Sequence, residues 1–268
     1  MKVYVAVDME GVAGVVSWEE TSAGRPDYER FRRLMTGEAD AAIRGCFEAG
    51  ADEVLVNDAH GSMRNLLIEE LDPRAELMGG SPKPGSMVAG LDASFDAFVM
   101  IGSHSMAASC GVLNHTYSGC LLAYRINGDT MGEIGMCAAL AGYYRVPTVF
   151  VSGDDAATAE AERLIPGVKT AKVKHYASRY AARSLHPSRS RELIRRSVAD
   201  ALRGPPPKPL TVTEPVELSL TFCDSAHADG HHFMPGSRRV DPLTVEYTAR
   251  DYEEAYTVAR ALIILGST

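Results

Sequence analysis

The chain has little cysteine: five in 268 residues, at Cys46, Cys110, Cys120, Cys137 and Cys223, with no C-x-x-C pair. An odd, scattered set argues against a disulfide framework and against a thiolate zinc site. It has no long apolar run near its start. Val3–Val7 ends at Asp8 and Glu10, too short for a signal-peptide core or a membrane span. It has no excess of positive charge. Lys plus Arg total 27 against 35 for Asp plus Glu, a formal net charge of -8. Binding along a phosphate backbone needs a cationic surface, so nucleic acid is not the expected partner, and neither is a membrane. There are no internal repeats and a single tryptophan, Trp18. What remains is a 46% hydrophobic, 23% charged chain. That is the composition of an ordinary globular protein, expected in the cytoplasm. An acidic total also suits a site that gathers carboxylates around metal cations.

Periodicity sets the expected fold class as α/β: a mostly parallel central sheet flanked by helices, with a smaller C-terminal α+β portion. Val3–Val7, Glu53–Asn57, Glu76–Met78, Ala97–Ile101, Pro147–Val151 and Val168–Val173 read as strands. Gly37–Gly50, capped by Thr36, reads as a helix, as do Asn65–Leu71, Gly132–Arg145, a segment from Asp154 or Asp155 to about Leu164, and Pro187 to about Arg203. Residues 12–36 read as a long loop or short helical pieces. Leu121–Ile126 reads as a strand entering an Asn127-Gly128 turn. The helix from Pro187 carries Arg189, Arg191, Arg195, Arg196 and Arg203, expected to form a solvated basic face. Gly204-Pro205-Pro206-Pro207-Lys208-Pro209 is the strongest linker signal. It divides an expected catalytic domain, 1–204, from a C-terminal portion, 210–268. That portion reads as strands Val216–Phe222 and Val240–Thr248 and a helix Tyr252–Leu265.

In open α/β sheets ligands collect beyond the carboxyl ends of the strands. Polar groups stand at three such ends: Asp8 and Glu10, then Asn57, Asp58 and His60, then Ser103 and His104. Asp8 and Glu10 are at alternate positions, so both carboxylates can face one way, where they repel unless a cation neutralises them. Imidazole with carboxylate suits zinc. Two metals about 3.5–4 Å apart need a shared carboxylate, and Asp8 is placed to be one. Glu133 lies between glycines at a helix start, where the helix dipole alone would also favour it. His115, in a loop rich in small residues, suits proton transfer near neutrality. His227, His231 and His232, with Asp224 and Asp229, form a separate cluster. It could bind metal if helical, since His227 and His231 are four apart.

These residues sit in segments that resemble a known family. VAVDMEGVAG at Val5–Gly14, VLVNDAHGSMRNL at Val54–Leu66, KPGSMVAGLD at Lys83–Asp92, GSHSMA at Gly102–Ala107, GVLNHT at Gly111–Thr116, INGDTMGEIG at Ile126–Gly135 and VSGDDAA at Val151–Ala157 occur in order. Together they resemble the DppA-type zinc D-aminopeptidases. The resemblance covers most of the chain to about residue 200. It implies two zinc ions per subunit, with ligands on Asp8, Glu10, His60, His104 and Glu133, Asp8 bridging. It implies His115 as the catalytic histidine, whether as nucleophile, general acid or base, or oxyanion donor. It implies release of the N-terminal residue from short peptides containing D-amino acids, D-alanyl peptides among them. It also implies a homo-oligomeric ring, of a size such as a decamer, around an inner channel.

Two rival readings use the same residues. Asp8-Met9-Glu10-Gly11 with Gly153-Asp154-Asp155 is similar to the motifs of haloacid-dehalogenase-type phosphatases, in which Asp8 would be a phosphorylated nucleophile and Mg²⁺ the cation. A non-catalytic, metal-stabilised oligomer would hold metal without hydrolysing peptides.

Overall fold

A computed structural model describes residues 1–267. Six strands form a wholly parallel sheet: β1 (Lys2–Val7), β2 (Glu53–Asp58), β3 (Glu76–Met78), β4 (Ala97–Ser103), then Thr148–Gly153 and Lys169–Lys172. Between β4 and Thr148–Gly153 the chain makes a hairpin, β5 (Leu121–Ile126) and β6 (Asp129–Met131), so the last two parallel strands are β7 and β8. The order across the sheet is β3-β2-β1-β4-β7-β8. The direction of strand addition reverses between β1 and β4, which makes the crevice at their carboxyl ends the expected place for a ligand.

Every residue from Val3 to Val7 is buried, because both faces of the sheet are covered. Alternation sorts them. Val3, Val5 and Val7 join Met35, Ile43, Ile194 and Val198 in one core. Tyr4 and Ala6 join Phe98, Met100 and Ile134 in the other. The first core lies under α2 (Tyr28–Glu48) and, beside it, Pro187–Arg203, the fifth helix of the chain. The short α1 (Trp18–Thr21) precedes them. The second core is filled by α3 (Glu133–Tyr143), buried on all sides but its last residue, with α4 (Asp155–Leu164) beside it. Pro187–Arg203 is α5; α6 (Ser225–Ala228) and α7 (Tyr252–Gly266) follow.

A second, antiparallel sheet has the order β12-β13-β11-β5-β6, with β11 (Val216–Phe222), β12 (Arg238–Arg239) and β13 (Thr244–Ala249). Strands β11, β12 and β13 therefore share a sheet with β5 and β6, and α7, which packs on β11 and β13, also packs on α3. A two-stranded hairpin, β9 (Lys174–Ser178) and β10 (Ala181–Ser184), turns at Arg179 and Tyr180. Among the described residues no helix is long and apolar enough to cross a membrane.

Several boundaries differ from the sequence reading. The helix expected over 37–50 begins at Tyr28, so the 12–36 segment, read as a long loop or short helical pieces, holds the short α1 and the first turns of α2. Thr36 is inside that helix: its hydroxyl donates to the Arg32 carbonyl at 2.8 Å instead of capping. Tyr28, Phe31 and Met35 are buried at helical spacing, and at Gly37, inside the helix, the Arg191 guanidinium occupies the space a Cβ would take. The expected helix over 65–71 is a single 3-10 turn, Ile68–Glu70. The expected strand over 240–248 is β13, preceded by the two-residue β12. The basic face of α5 is only partly solvated, since Arg195 pairs with Glu192 and Glu48, tying α5 to the end of α2.

Candidate metal centre

The centre is built where β1 and β4 end side by side. Gly11 N–H donates to the Gly102 carbonyl at 2.7 Å. A Cβ on Gly102, whose φ is +67°, would lie 2.2 Å from the Asp8 carbonyl oxygen. Only glycine tolerates both that φ and that approach. The loop after β1 is also held from below: the buried Lys174 ammonium donates to the carbonyls of Glu10 and Val15. Burial pulls this ammonium down to about 8.

Asp8, Glu10, His60, His104 and Glu133 are all buried and converge. Asp8 faces two ways. Its Oδ1 lies 3.2 Å from His60 Nδ1, which is also 3.0 Å from Glu10 Oε2. Its Oδ2 lies 3.4 Å from His104 Nε2, which is 3.2 Å from Glu133 Oε1. Asp8, Glu10 and His104 offer ligand atoms within 4.8 Å of one another, and so do His104, His115 and Glu133. His115 stacks on His104, ring centroids 3.9 Å apart, with Trp18 edge-on to it at 5.2 Å.

Backbone carbonyls orient all three imidazoles. His60 Nε2 meets the Thr21 carbonyl at 2.9 Å, His104 Nδ1 meets that of Ser105 at 3.0 Å, and His115 Nδ1 meets that of Leu113 at 2.9 Å. A carbonyl only accepts, so each contact assigns a proton to the nitrogen that makes it. With the ring neutral, as a metal ligand is, the other nitrogen of each points a lone pair inward, among carboxylates. This is the arrangement found around metal-bound histidines.

The electrostatics are those of an acid-rich hollow. Burial, then repulsion from Glu10, pushes Asp8 up to about 7. Burial works to raise Glu10 as well, but His60 outweighs it and holds the carboxyl well below its usual range. Burial likewise opposes the charge on Glu133, yet His104 brings it down to about 2. His104 resists its own burial through Glu133 and rises to about 10. His115 is lowered, first by burial and then by His104, and is neutral near pH 7.

A zinc ion fits this donor set. With metal–ligand distances of about 2.0–2.1 Å, the corners of a tetrahedron are about 3.3 Å apart. The N···O separations around Asp8 run from 3.0 to 3.4 Å. His104 Nε2 is buried and has no hydrogen-bond partner of acceptable geometry, although two carboxylates flank it. A cation between them satisfies that nitrogen and both acids.

The centre lies in a cavity of 750 Å³. Met63, Trp18, Tyr117, Arg179, Tyr180 and Arg260 complete its wall. None of these except Trp18 drew notice in the sequence. Arg179 and Tyr180 come from the β9–β10 turn and Arg260 from α7, and no local motif marks them.

Residues 1–261 match the peptidase family M55, described as D-aminopeptidase. A D-aminopeptidase of Bacillus subtilis (strain 168) is 42% identical over 258 residues, covering 96% of this chain and 94% of the relative. The solved structure of the zinc-dependent D-aminopeptidase DppA from Bacillus subtilis, described as a self-compartmentalizing protease, superposes with a TM-score of 0.98 at 40% identity. It covers all of this chain and 98% of its own. The chain belongs to the M55 family of D-aminopeptidases.

Membership in the M55 family overturns the phosphatase reading, and the geometry gives the reason. The Asp154 carboxylate serves as the cap of α4, accepting from the backbone N–H groups of Val112 and Ala157, and is not grouped with Asp8 in a metal-ligand arrangement among the described residues. The metal option for the C-terminal histidines also fails. His227 lies on the short α6 and His231 and His232 on a 3-10 turn, so the four-residue helical spacing is broken. Asp229 pairs with Arg239, and Asp224 caps α6. No group of metal-ligand geometry forms there among the described residues.

Proposed function

We propose that the protein is an aminopeptidase that uses two zinc ions, held by Asp8, Glu10, His60, His104 and Glu133, to release the N-terminal residue of short peptides bearing D-amino acids. The observation that carries this reading is the two-sided Asp8 carboxylate, with one imidazole and one further acid on each flank. That is the environment a bridging ligand needs. When bound, the ions supply Lewis acidity, polarising the scissile carbonyl and acidifying water at the centre.

The chain's own residues do the rest. The cavity places the peptide's N-terminal amine at the centre in its neutral form, because the ions already offset the three carboxylates. His115 moves the proton: Leu113 holds Nδ1–H, so Nε2 faces the cavity with its lone pair, 3.9 Å from Glu133 Oε1. A neutral imidazole there can take a proton from the attacking water and return it to the leaving amine. Stacking on His104 and the edge of Trp18 fix the ring's plane. Tyr117 N–H donates to Glu133 Oε1 at 2.6 Å, keeping that acid aimed at His104.

We also infer a homo-oligomeric assembly, supported by the relative described as self-compartmentalizing and by exposed Ile68, Phe233 and Ile264. A ring, such as a decamer, is the arrangement we propose. Light scattering on the purified protein measures it, and a monomer would refute it. The functional test couples metal analysis to release of N-terminal alanine from matched D- and L-alanyl peptides. Two zinc ions per chain with faster release from the D-peptide is the expected result. Equal release would remove the D preference, and bound metal with no release from either peptide would refute the enzyme.

A further inference from the structure

The cavity that holds the acidic centre also holds a cation with no acid to pair with. Arg260, on α7, lines its wall. Its guanidinium lies over the Tyr117 ring, Cζ 3.7 Å from the centroid. Its Nε is buried without a hydrogen-bond partner, and it forms no ion pair with any acid among the described residues. Arg260 also borders a second cavity of 300 Å³, so it stands where two hollows meet.

The mounting is rigid. Tyr117 binds Glu133 through its backbone N–H, and its hydroxyl meets that of Tyr256 at 2.5 Å. Tyr256 lies one helical turn before Arg260 on α7 and donates to the Gly85 carbonyl at 3.2 Å. One residue, Tyr117, thus touches both Glu133, through its backbone N–H, and the Arg260 guanidinium, through its ring. A stacked guanidinium keeps its edge N–H groups free for a planar, bidentate acceptor. The other arginine of the cavity, Arg179, already donates to the Asn114 carbonyl at 3.1 Å.

A short peptide has opposite charges at its two ends. Its N-terminal amine is the end presented to the metal centre, and its C-terminal carboxylate needs a cation. An extended dipeptide spans about 7 Å. We propose that Arg260 receives the C-terminal carboxylate of the substrate, so that the enzyme selects short peptides with a free C-terminus. This rests on the reading of the centre as an aminopeptidase site.

The test compares D-alanyl-D-alanine with its C-terminal amide, first on the unmodified, zinc-loaded protein. A charged hydrogen bond of this kind is worth about 10- to 100-fold, so kcat/KM for the acid should exceed that for the amide by that factor, mainly through KM. Arg260→Met should bring the ratio close to one by slowing the acid while sparing the amide. Arg260→Lys should restore part of it. Trp18, the single tryptophan, lines the same cavity, so its fluorescence gives a readout that needs no turnover. The probes are acid and amide forms of a dipeptide isostere whose scissile amide is reduced to a methyleneamine. The acid form should bind more tightly to the unmodified protein and lose that advantage in Arg260→Met. Equal kcat/KM and equal binding for acid and amide in the unmodified protein would overturn the proposal while leaving the aminopeptidase intact. Discrimination lost in Arg179→Met and kept in Arg260→Met would also overturn it. Failure to cleave either peptide would instead remove the functional reading, and the fluorescence titration would still decide the carboxylate site.

Discussion

The molecule carries two sets of three histidines, and only one of them contributes to donor groups of metal-ligand spacing among the described residues. His60 and His104 follow the ends of β2 and β4 beside Asp8, and His115 stacks on His104 from the loop before β5; each has one nitrogen committed to a backbone carbonyl and the other turned inward. His227, His231 and His232 lie on a short helix and a 3-10 turn near the surface. The rings of His231 and His232 are 4.0 Å apart, and the neighbouring acids are already taken by Arg239 and by a helix cap. Both sets combine imidazole with carboxylate. The difference is what surrounds them. In the first, burial removes water and leaves lone pairs facing lone pairs, an arrangement that only a proton or a metal can relieve. In the second, solvent and arginine relieve the acids without one.

The strongest way to break this contrast is to mutate one residue from each set's neighbourhood. Asp8→Ala should empty both metal positions, measured by metal analysis, and bring peptide release to background. Asp229→Ala should leave metal content at the unmodified level, because its partner is Arg239. Retention of metal in Asp8→Ala would remove the distinction between the two sets.

A sharper cut runs inside the first set. His115→Ala should lower kcat about 10²- to 10⁴-fold while metal content stays near that of the unmodified protein. Parallel loss of metal and turnover would make His115 a ligand, for which its grouping with His104 and Glu133 leaves room. A smaller effect tests the scaffold. Gly102→Ala forces a side chain into a left-handed φ and onto the Asp8 carbonyl, costing about 1–3 kcal/mol of stability, measured by denaturant unfolding. The smallest concerns the surface set: His232→Ala, on an exposed ring, should change stability by no more than about 0.5 kcal/mol.

Much of the first set was readable before any coordinates. Each strand left its own mark, a β-branched or apolar run, and the polar residues one to four positions beyond it had to fall at the carboxyl edge of a parallel sheet. Asp8, Glu10, His60 and His104 were placed that way, and β5, Glu76–Met78 and Val216–Phe222 match residue for residue. Helix ends were less legible. Thr36 looks like a cap in isolation, and only the packing of Phe31 and Met35 shows that the helix has already begun. The return of the C-terminal strands to β5 leaves no local trace, because pairing across some 90 residues is written in neither strand. Least legible were the carbonyls of Thr21, Ser105 and Leu113, which any residue could supply, and Arg260, which reaches the cavity from a helix more than a hundred residues beyond Glu133. These are properties of tertiary placement.

The account stands on cations lying on both flanks of one carboxylate. Anomalous diffraction at the zinc edge, on crystals of the purified protein, observes this directly. The prediction is two peaks, one on the His60 and Glu10 side of Asp8 and one on the His104 and Glu133 side. A single peak, or peaks among His227, His231 and His232 with none at Asp8, would contradict it.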